Sequence, residues 1–380
     1  MSDAGRARVL QALYELGPLS RAELSRVTGD SRAGITGLVQ TLLDEGVLAE
    51  QEARPSSPAG GKPSRPLWIS PEARPIGAAH LVPGRVEFAL VSAAGEVLSL
   101  DSVPVPEGDR EAAGRCIADG LAGIREAAGR PLLGVGVAVG GMVDTDTGTV
   151  VSVALAPELD GLPLGKLLAE RLDVPVHIDL HPRVQALGDR WFGQGRGRSH
   201  FASVYTGEAL GVGLVIDGQV HRGPSGMGGE IGHSIVQAGG RRCHCGQTGC
   251  WETIAGHGWL REQAVRAGLP GAAELTAGPL ARLAAARHPG AAELLDAWAA
   301  NLSVGLANLH QVLAPGLFIL HGDAAAGGEE LRGRVERELR ARIPAHPAGP
   351  PSVTFTTLQD HATLLGAAGL VLSGQLDGVR

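Results

Sequence analysis

The chain has 380 residues, 44% of them hydrophobic and 19% charged, with a formal net charge of −7. That length suits two or three domains rather than one core, and its 57 Gly and 24 Pro fall short of a disordered composition. No run of ~18 apolar residues offers a helical membrane span, and the opening MSDAGRARVLQALYELG, with charges inside its apolar stretch, lacks the cleavage pattern of a secretory signal. The expectation is a cytoplasmic protein, with no membrane partner, whose four cysteines stay reduced.

Nine Arg/Lys and nine Asp/Glu balance within residues 1–74, so the whole of the −7 falls on the rest. A nucleic-acid partner would therefore be met by the N-terminal segment, because phosphate contacts need positive charge. Residues 6–16 place Val9, Leu10, Leu13 and Leu16 on one helical stripe, which Gly17-Pro18 breaks. Ser20 and Glu23 have capping-box spacing for a second helix. A third begins at Asp30 or Ser31, with Ile35, Leu38, Val39, Leu42 and Leu43 as its buried stripe, and ends at Gly46. The stretch VLAEQEARPSSPAGGKPSRPLWIS then reads as strand, Pro/Gly/Arg-rich tip and strand, the wing of a winged helix-turn-helix.

This N-terminal α+β module, residues 1–72, is expected to bind a double-stranded DNA operator. The other reading is a three-helix protein-interaction module with a hairpin. As a DNA reader it would place the start of its third helix in the major groove. The candidate contacts are Ser31, Arg32, Thr36 and Gln40 on that helix, Ser20 and Arg21 at the start of the second, and Lys62 and Arg65 (with Arg54) in the wing. Arg32 suits guanine and Gln40 adenine, or either touches phosphate alone. Gly34 and Gly37 each cost a helix interior about 1 kcal/mol relative to Ala. They either allow a close backbone approach or reflect weak specificity.

From residue 76 the texture becomes α/β. Strands fall in RVEFALVSAAGEVLSLDSVPV, LLGVGVAVGGMV, VPVHIDL, HFASVYTG, GVGLVIDGQV and GLFILHG, with helices between them that include 110–128 and 291–313. Two lobes are expected within 73–380: about 76–190 plus a C-terminal return, and about 191–320. Three cysteines, Cys243, Cys245 and Cys250, gather in C-x-C-x4-C, with His233 ten residues before the first. Three thiolates and one imidazole make a closed, tetrahedral set suited to structural Zn2+. A Cys243–Cys245 disulfide would be strained, and the spacing is not that of a redox pair. His244 lies between two ligands, but its backbone neighbours point it the other way. Cys116 reads as a buried structural thiol. Glu230 and Glu252 flank the loop, 230–252, so that metal binding clamps two carboxylates toward one point. They would hold vicinal hydroxyls of a sugar, with His233 offering its second ring nitrogen, or else serve as solvated charges or supports for the metal.

The element order, GGEIGHSIV followed by CHCGQTGCWE, GQVHRGPSGMGGEIGH and LHPRVQALGDRWFG together resemble the ROK family of repressors, uncharacterised reading frames and sugar kinases, over nearly the whole chain. The resemblance implies an α/β actin-like, hexokinase-type two-lobed domain, a sugar site between the lobes, and a homodimer or homotetramer. It also implies that Glu230, His233 and Glu252 contact sugar and that His233, Cys243, Cys245 and Cys250 bind zinc. The departures are as informative. The kinase phosphate loop Asp-x-Gly-Gly-Thr is here GAAHLVPG, and the second Gly-rich loop reads GEALGVG, with Glu208 where nucleotide oxygens would lie. Like charges ~4 Å apart oppose each other by about 4 kcal/mol at an effective dielectric near 20. A Gly-Gly near the adenosine reads LHGD at 320–323, and the catalytic Asn-Asp pair reads Leu180-His181. His181 could accept a proton, and Asp179 lies two residues away, but the nucleotide loops are altered as well. The expectation is a DNA-binding regulator, a repressor by type, with no catalytic residue; the alternatives are an active, ATP-dependent sugar kinase or a regulator that works through DNA or protein contacts without a ligand. Its small-molecule effector would be held by Glu230, His233, Glu252 and His181.

Overall fold

The computed structural model describes residues 3–53, 64–154, 156–347 and 349–376. The chain divides into two compact units: Met1–Leu180 with Arg190–Gly197 and Thr363–Arg380, and His181–Asp189 with Arg198–Ala362. Residues 3–72 thus fall within the first unit, and the second takes in 181–189 and 198–362.

In the first unit, α1 (Asp3–Leu16) buries Val9, Leu10 and Leu13. Leu16, placed on the same stripe by periodicity, is 54% exposed, because the helix ends there and Gly17 at φ 87° turns the chain away. Tyr14 fills the buried position instead. Its hydroxyl donates to the Ala93 carbonyl at 2.6 Å, its ring meets Trp191 edge-on at 5.2 Å, and burial raises its pKa. In α2 (Arg21–Thr28) both capping-box bonds between Ser20 and Glu23 form, and Gly29 closes the helix in the left-handed region. Ser31, rather than Asp30, caps α3 (Arg32–Asp44), while Asp30 pairs with Arg8. Ile35, Leu38, Val39 and Leu42 are buried in α3, whereas Leu43, about 100° round from Leu42, is only half-buried. β1 (Leu48–Glu50) and β2 (Leu67–Ile69) pair antiparallel as wing strands. The wing tip with Arg54 and Lys62 lies outside the described residues.

A five-stranded sheet follows, built from β3 (Ile76–Val82), β4 (Arg85–Val91), β5 (Val97–Pro104), β6 (Gly134–Val139) and, after the hairpin β7 (Met142–Asp144) and β8 (Thr149–Ser152), β9 (Val176–Leu180). The order is β5-β4-β3-β6-β9. The first three strands form an antiparallel meander, and β6 and β9 join in parallel through crossovers containing α4 (Arg110–Ala127) and α5 (Leu164–Leu172). Ile117, Leu121 and Leu168 from these helices pack on Phe88, Val135 and Val137. Cys116, expected inside this core, is instead half-exposed on α4, its Sγ donating to the Pro104 carbonyl at 3.5 Å.

α6 (His181–Phe192) is shared: residues to Asp189 belong to the second unit, those from Arg190 on to the first. The second unit repeats the sheet topology. β10 (Phe201–Thr206), β11 (Leu210–Ile216), β12 (Gln219–Val220), and, beyond the helices α7 (Glu252–Ala255), α8 (His257–Arg266), α9 (Ala277–Ala285) and α10 (Ala291–Leu313), β13 (Leu317–Gly322) line up with a final strand as β12-β11-β10-β13-β14. α11 (Asp323–Ala326) and α12 (Gly328–Arg342) precede β14 (Ser352–Phe355), and α13 (Ala362–Leu376) returns to the first unit. Meander plus parallel pair, twice over, is the actin-like, hexokinase-type pattern that was expected. Trp251, Leu295, Trp298, Leu302 and Leu306 centre the second core. Among the described residues no helix is long and apolar enough to cross a membrane.

Removing the Tyr14 hydroxyl leaves a buried carbonyl without its donor while keeping the ring contacts. Tyr14→Phe is expected to lower unfolding free energy by about 1–2 kcal/mol with unchanged secondary structure. Urea unfolding followed by circular dichroism measures it.

Candidate metal and effector site

The loop from Glu230 to Glu252 has little regular structure, only a 3-10 turn at Ile231–His233 and the isolated bridges Ile235↔Cys250 and Arg242↔Thr248. Its frame is set by backbone bonds. Trp251 donates to the Ser234 carbonyl at 2.9 Å, and Cys243 to that of Gln247 at 2.8 Å. Its far end is anchored by Trp251, fully buried, whose Nε1 donates to the Asn301 carbonyl at 3.0 Å. Gly305 on α10 leaves room for that indole, since a Cβ there would overlap it.

This frame gathers His233, Cys243, Cys245 and Cys250 so that one donor atom from each lies within 4.8 Å of the other three. His233 Nδ1 stands 3.5 Å from Cys243 Sγ, and the sulfurs of Cys245 and Cys250 are 3.6 Å apart. Burial, followed by the neighbouring thiols, pushes the Cys250 pKa up to about 12. A divalent cation would supply the charge that lets these thiols ionise together, so the donor set suits a metal ion. His233 presents Nδ1 to the Cys243 sulfur, which leaves Nε2 as its other ring nitrogen. His244, expected to point away, instead faces the cluster: its Nδ1 lies 3.0 Å from Glu252 Oε1, and its ring 5.1 Å from that of His233.

Glu252 is 9% exposed and anchored through Oε2, which accepts the Leu210 N–H at 2.9 Å. Glu230 is half-buried at the start of the 3-10 turn. The segment before it is held from α6, where Arg183, 1% exposed, donates to the carbonyls of Gly226 at 2.9 Å and Gly228 at 2.5 Å. His181, at the first turn of α6, is buried with its ring 4.6 Å from that of Tyr205. Arg183 escaped the sequence reading, although it stands two residues after His181.

Glu208 in GEALGVG and Asp323 in LHGD are both engaged by the protein's own cationic groups. Glu208 accepts from Arg261 at 2.7 Å and lies 3.4 Å from His257 Nδ1. His257 Nε2 is 2.8 Å from Asp323, which also accepts the Ala277 N–H at the start of α9. Burial opposes charge on His257, but the bonds to Asp323 and Glu208 outweigh it and raise its pKa. His321 turns inward, with Nε2 2.6 Å from Asp189, which also accepts from the Ser203 hydroxyl at 2.5 Å. β3 runs on to a tight turn at Pro83-Gly84, and His80 on it lies 3.4 Å from Glu87.

On the N-terminal module, Ser31, Arg32, Thr36 and Gln40 are exposed along the outward face of α3. Ser31 Oγ accepts the Gly34 N–H at 3.1 Å, Thr36 bonds the Arg32 carbonyl, and Gln40 bonds Asp44. Arg32 has no partner among the described residues. A Cβ at Gly37 would meet nothing within 4 Å, which leaves this face smooth. Ser20 is 8% exposed, with its hydroxyl closed onto Glu23 in the capping box. Arg21 and Arg65 both reach Glu50, at 2.8 and 3.4 Å, so that carboxylate competes for them. Lys62 lies outside the described residues.

A winged helix on an actin-like, hexokinase-type body with a thiol-rich loop defines a class shared by regulators and sugar kinases. The pattern describing the ROK family matches residues 83–373, and the chain belongs to that family. It is similar to the xylose repressor of Caldicellulosiruptor bescii, 26% identical over 384 residues that cover 97% of this chain and 95% of the repressor. A glucokinase of Halalkalibacterium halodurans is 28% identical over 75% of this chain and 91% of its own. The crystal structure of a ROK family transcriptional regulator, a homolog of the E. coli MLC protein, superposes with a TM-score of 0.80 at 24% identity, covering 99% of this chain and 97% of that one.

Chelation is expected to lower the thermal midpoint by several degrees, and Cys243→Ser to abolish metal content measured by elemental analysis. Because the His257 pKa is raised, its ionic contribution is present below about pH 6.5 and lost as pH rises through the folded value. Wild type should therefore lose more stability than His257→Gln between about pH 6 and pH 9, followed by thermal melts.

Proposed function

We propose that the chain is a DNA-binding transcriptional repressor whose ROK portion senses a sugar or related polyol and does not transfer phosphate. The observation that carries this reading is the exposed outward face of α3, with Arg32 unpaired among the described residues, on a chain similar over 97% of its length to a repressor. Arg32 and Gln40 would meet base edges or phosphates, and the smooth surface at Gly34 and Gly37 would admit the DNA backbone. Two copies in a homodimer, or a homotetramer built from it, would address half-sites about one helical turn apart.

A structural Zn2+ held by His233, Cys243, Cys245 and Cys250 would fix the loop that carries Glu230 and Glu252. Glu230, His233 through Nε2, Glu252 through Oε1, and His181 would then hold the hydroxyls of the effector. Kinase activity is disfavoured by charge. Glu208 occupies the second Gly-rich loop, where bound triphosphate would add like charge, and His181 stands where the catalytic carboxylate belongs. Coupling of ~1–3 kcal/mol between effector and operator suffices for a response of 5- to 150-fold.

Fluorescence anisotropy on DNA flanking the protein's own gene, with and without D-xylose or D-glucose, tests this. Specific binding that weakens with salt and shifts with one of the sugars is expected. Arg32→Ala should weaken it by about 1–3 kcal/mol. Salt-independent binding, or steady hydrolysis of ATP in the presence of a hexose, would overturn the reading.

A further inference from the structure

The geometry points to a second four-ligand metal site in the loop, formed by His233, Cys243, His244 and Glu252 and overlapping the three-thiol set. We infer that the loop can keep one divalent ion of the zinc type on either quartet, with His233 and Cys243 common to both. In this second group, too, all four donor atoms lie within 4.8 Å of one another.

The spacings decide whether such a group is a ligand set or a crowd of polar side chains. With metal–nitrogen and metal–oxygen bonds of about 2.0–2.2 Å and metal–sulfur bonds near 2.3 Å, a tetrahedron has edges of ~3.3–3.6 Å between nitrogen or oxygen donors and ~3.5–3.8 Å where sulfur takes part. His233 Nδ1 to Cys243 Sγ is 3.5 Å, Cys243 Sγ to His244 Nδ1 3.9 Å, Cys243 Sγ to Glu252 Oε1 3.9 Å, and His244 Nδ1 to Glu252 Oε1 3.0 Å. Four of the six edges thus lie within about half an ångström of those a tetrahedral ion requires.

The chemistry agrees, since two imidazoles, one thiolate and one carboxylate form a borderline set that suits Zn2+ or Co2+. Glu252 is also fixed in a ligating pose, with Oε2 held by the Leu210 N–H and Oε1 turned to the cluster. The two quartets differ in exposure where it matters. Cys245, needed only by the three-thiol set, is exposed, whereas Cys243 is 5% and Glu252 9% exposed. A reagent that blocks Cys245 therefore removes one quartet and leaves the other.

Cobalt titration of the metal-free full-length protein, read by its visible and thiolate charge-transfer absorption, tests this. Wild type should bind one Co2+ per chain with a thiolate-rich spectrum. Cys245→Ser/Cys250→Ser should still bind one, with charge-transfer intensity reduced to about one third, as one thiolate of three remains. Adding His244→Ala to that double variant should abolish saturable binding, whereas His244→Ala alone should leave the stoichiometry at one. If the double variant does not fold, alkylating Cys245 in the folded protein replaces it. A folded double variant that binds no cobalt, or one indifferent to His244→Ala, overturns the second quartet. A wild type that binds no cobalt overturns both quartets.

Discussion

The convergence of one imidazole and three thiols onto a single point is the constraint on which the arrangement of the loop at 230–252 depends. The loop of some twenty residues has, beside the backbone bonds that frame it, only two isolated bridges and one 3-10 turn. Trp251 fixes one end in the core beneath α10, and Arg183 fixes the approach to the other through the carbonyls of Gly226 and Gly228. Between those anchors the sulfurs and the His233 ring must be drawn together. Glu230, His233 and Glu252 then acquire fixed positions relative to one another. An ion held at this point would act as a cross-link whose binding energy is folding energy for the loop.

Elsewhere in the same unit, charged side chains are paired with one another. Glu208 is bound to Arg261 and His257, and Asp323 takes His257 from the other side while accepting the first N–H of α9. These carboxylates satisfy the cationic groups and a helix N-terminus that would otherwise attract an anion. Deeper in, Asp189 collects the Ser203 hydroxyl and the His321 imidazole in a group almost without solvent exposure. A buried pair of this kind is costly to break from one side, because the survivor is left desolvated.

In the N-terminal module an exposed face and a buried face divide the residues of one short helix. Ile35, Leu38, Val39 and Leu42 face inward, while Arg32, Thr36, Gly37 and Gln40 form the outward side. Glu50 then draws on both Arg21 and Arg65, and the hydrogen bond from Arg21 is the main cause holding its carboxyl below the ordinary range. The cationic residues of the module are therefore unequal: Arg32 stands clear, and the two near Glu50 are shared.

What was legible in the sequence was local. Helical periodicity, the Ser20–Glu23 capping box, the wing strands and the strand sequence of both sheets depend on neighbours a few residues apart. The spacing of His233, Cys243, Cys245 and Cys250 likewise carries its chemistry in the chain itself. Tertiary structure alone decided matters of direction and burial. Leu16 faces solvent because a turn intervenes, and Cys116 lies at the surface of its helix. His244 swings onto Glu252, and Arg183 reaches a loop more than forty residues away. Each of these outcomes depends on where a side chain ends relative to groups distant in sequence, and a one-dimensional pattern holds no information about that until long-range packing has fixed the backbone.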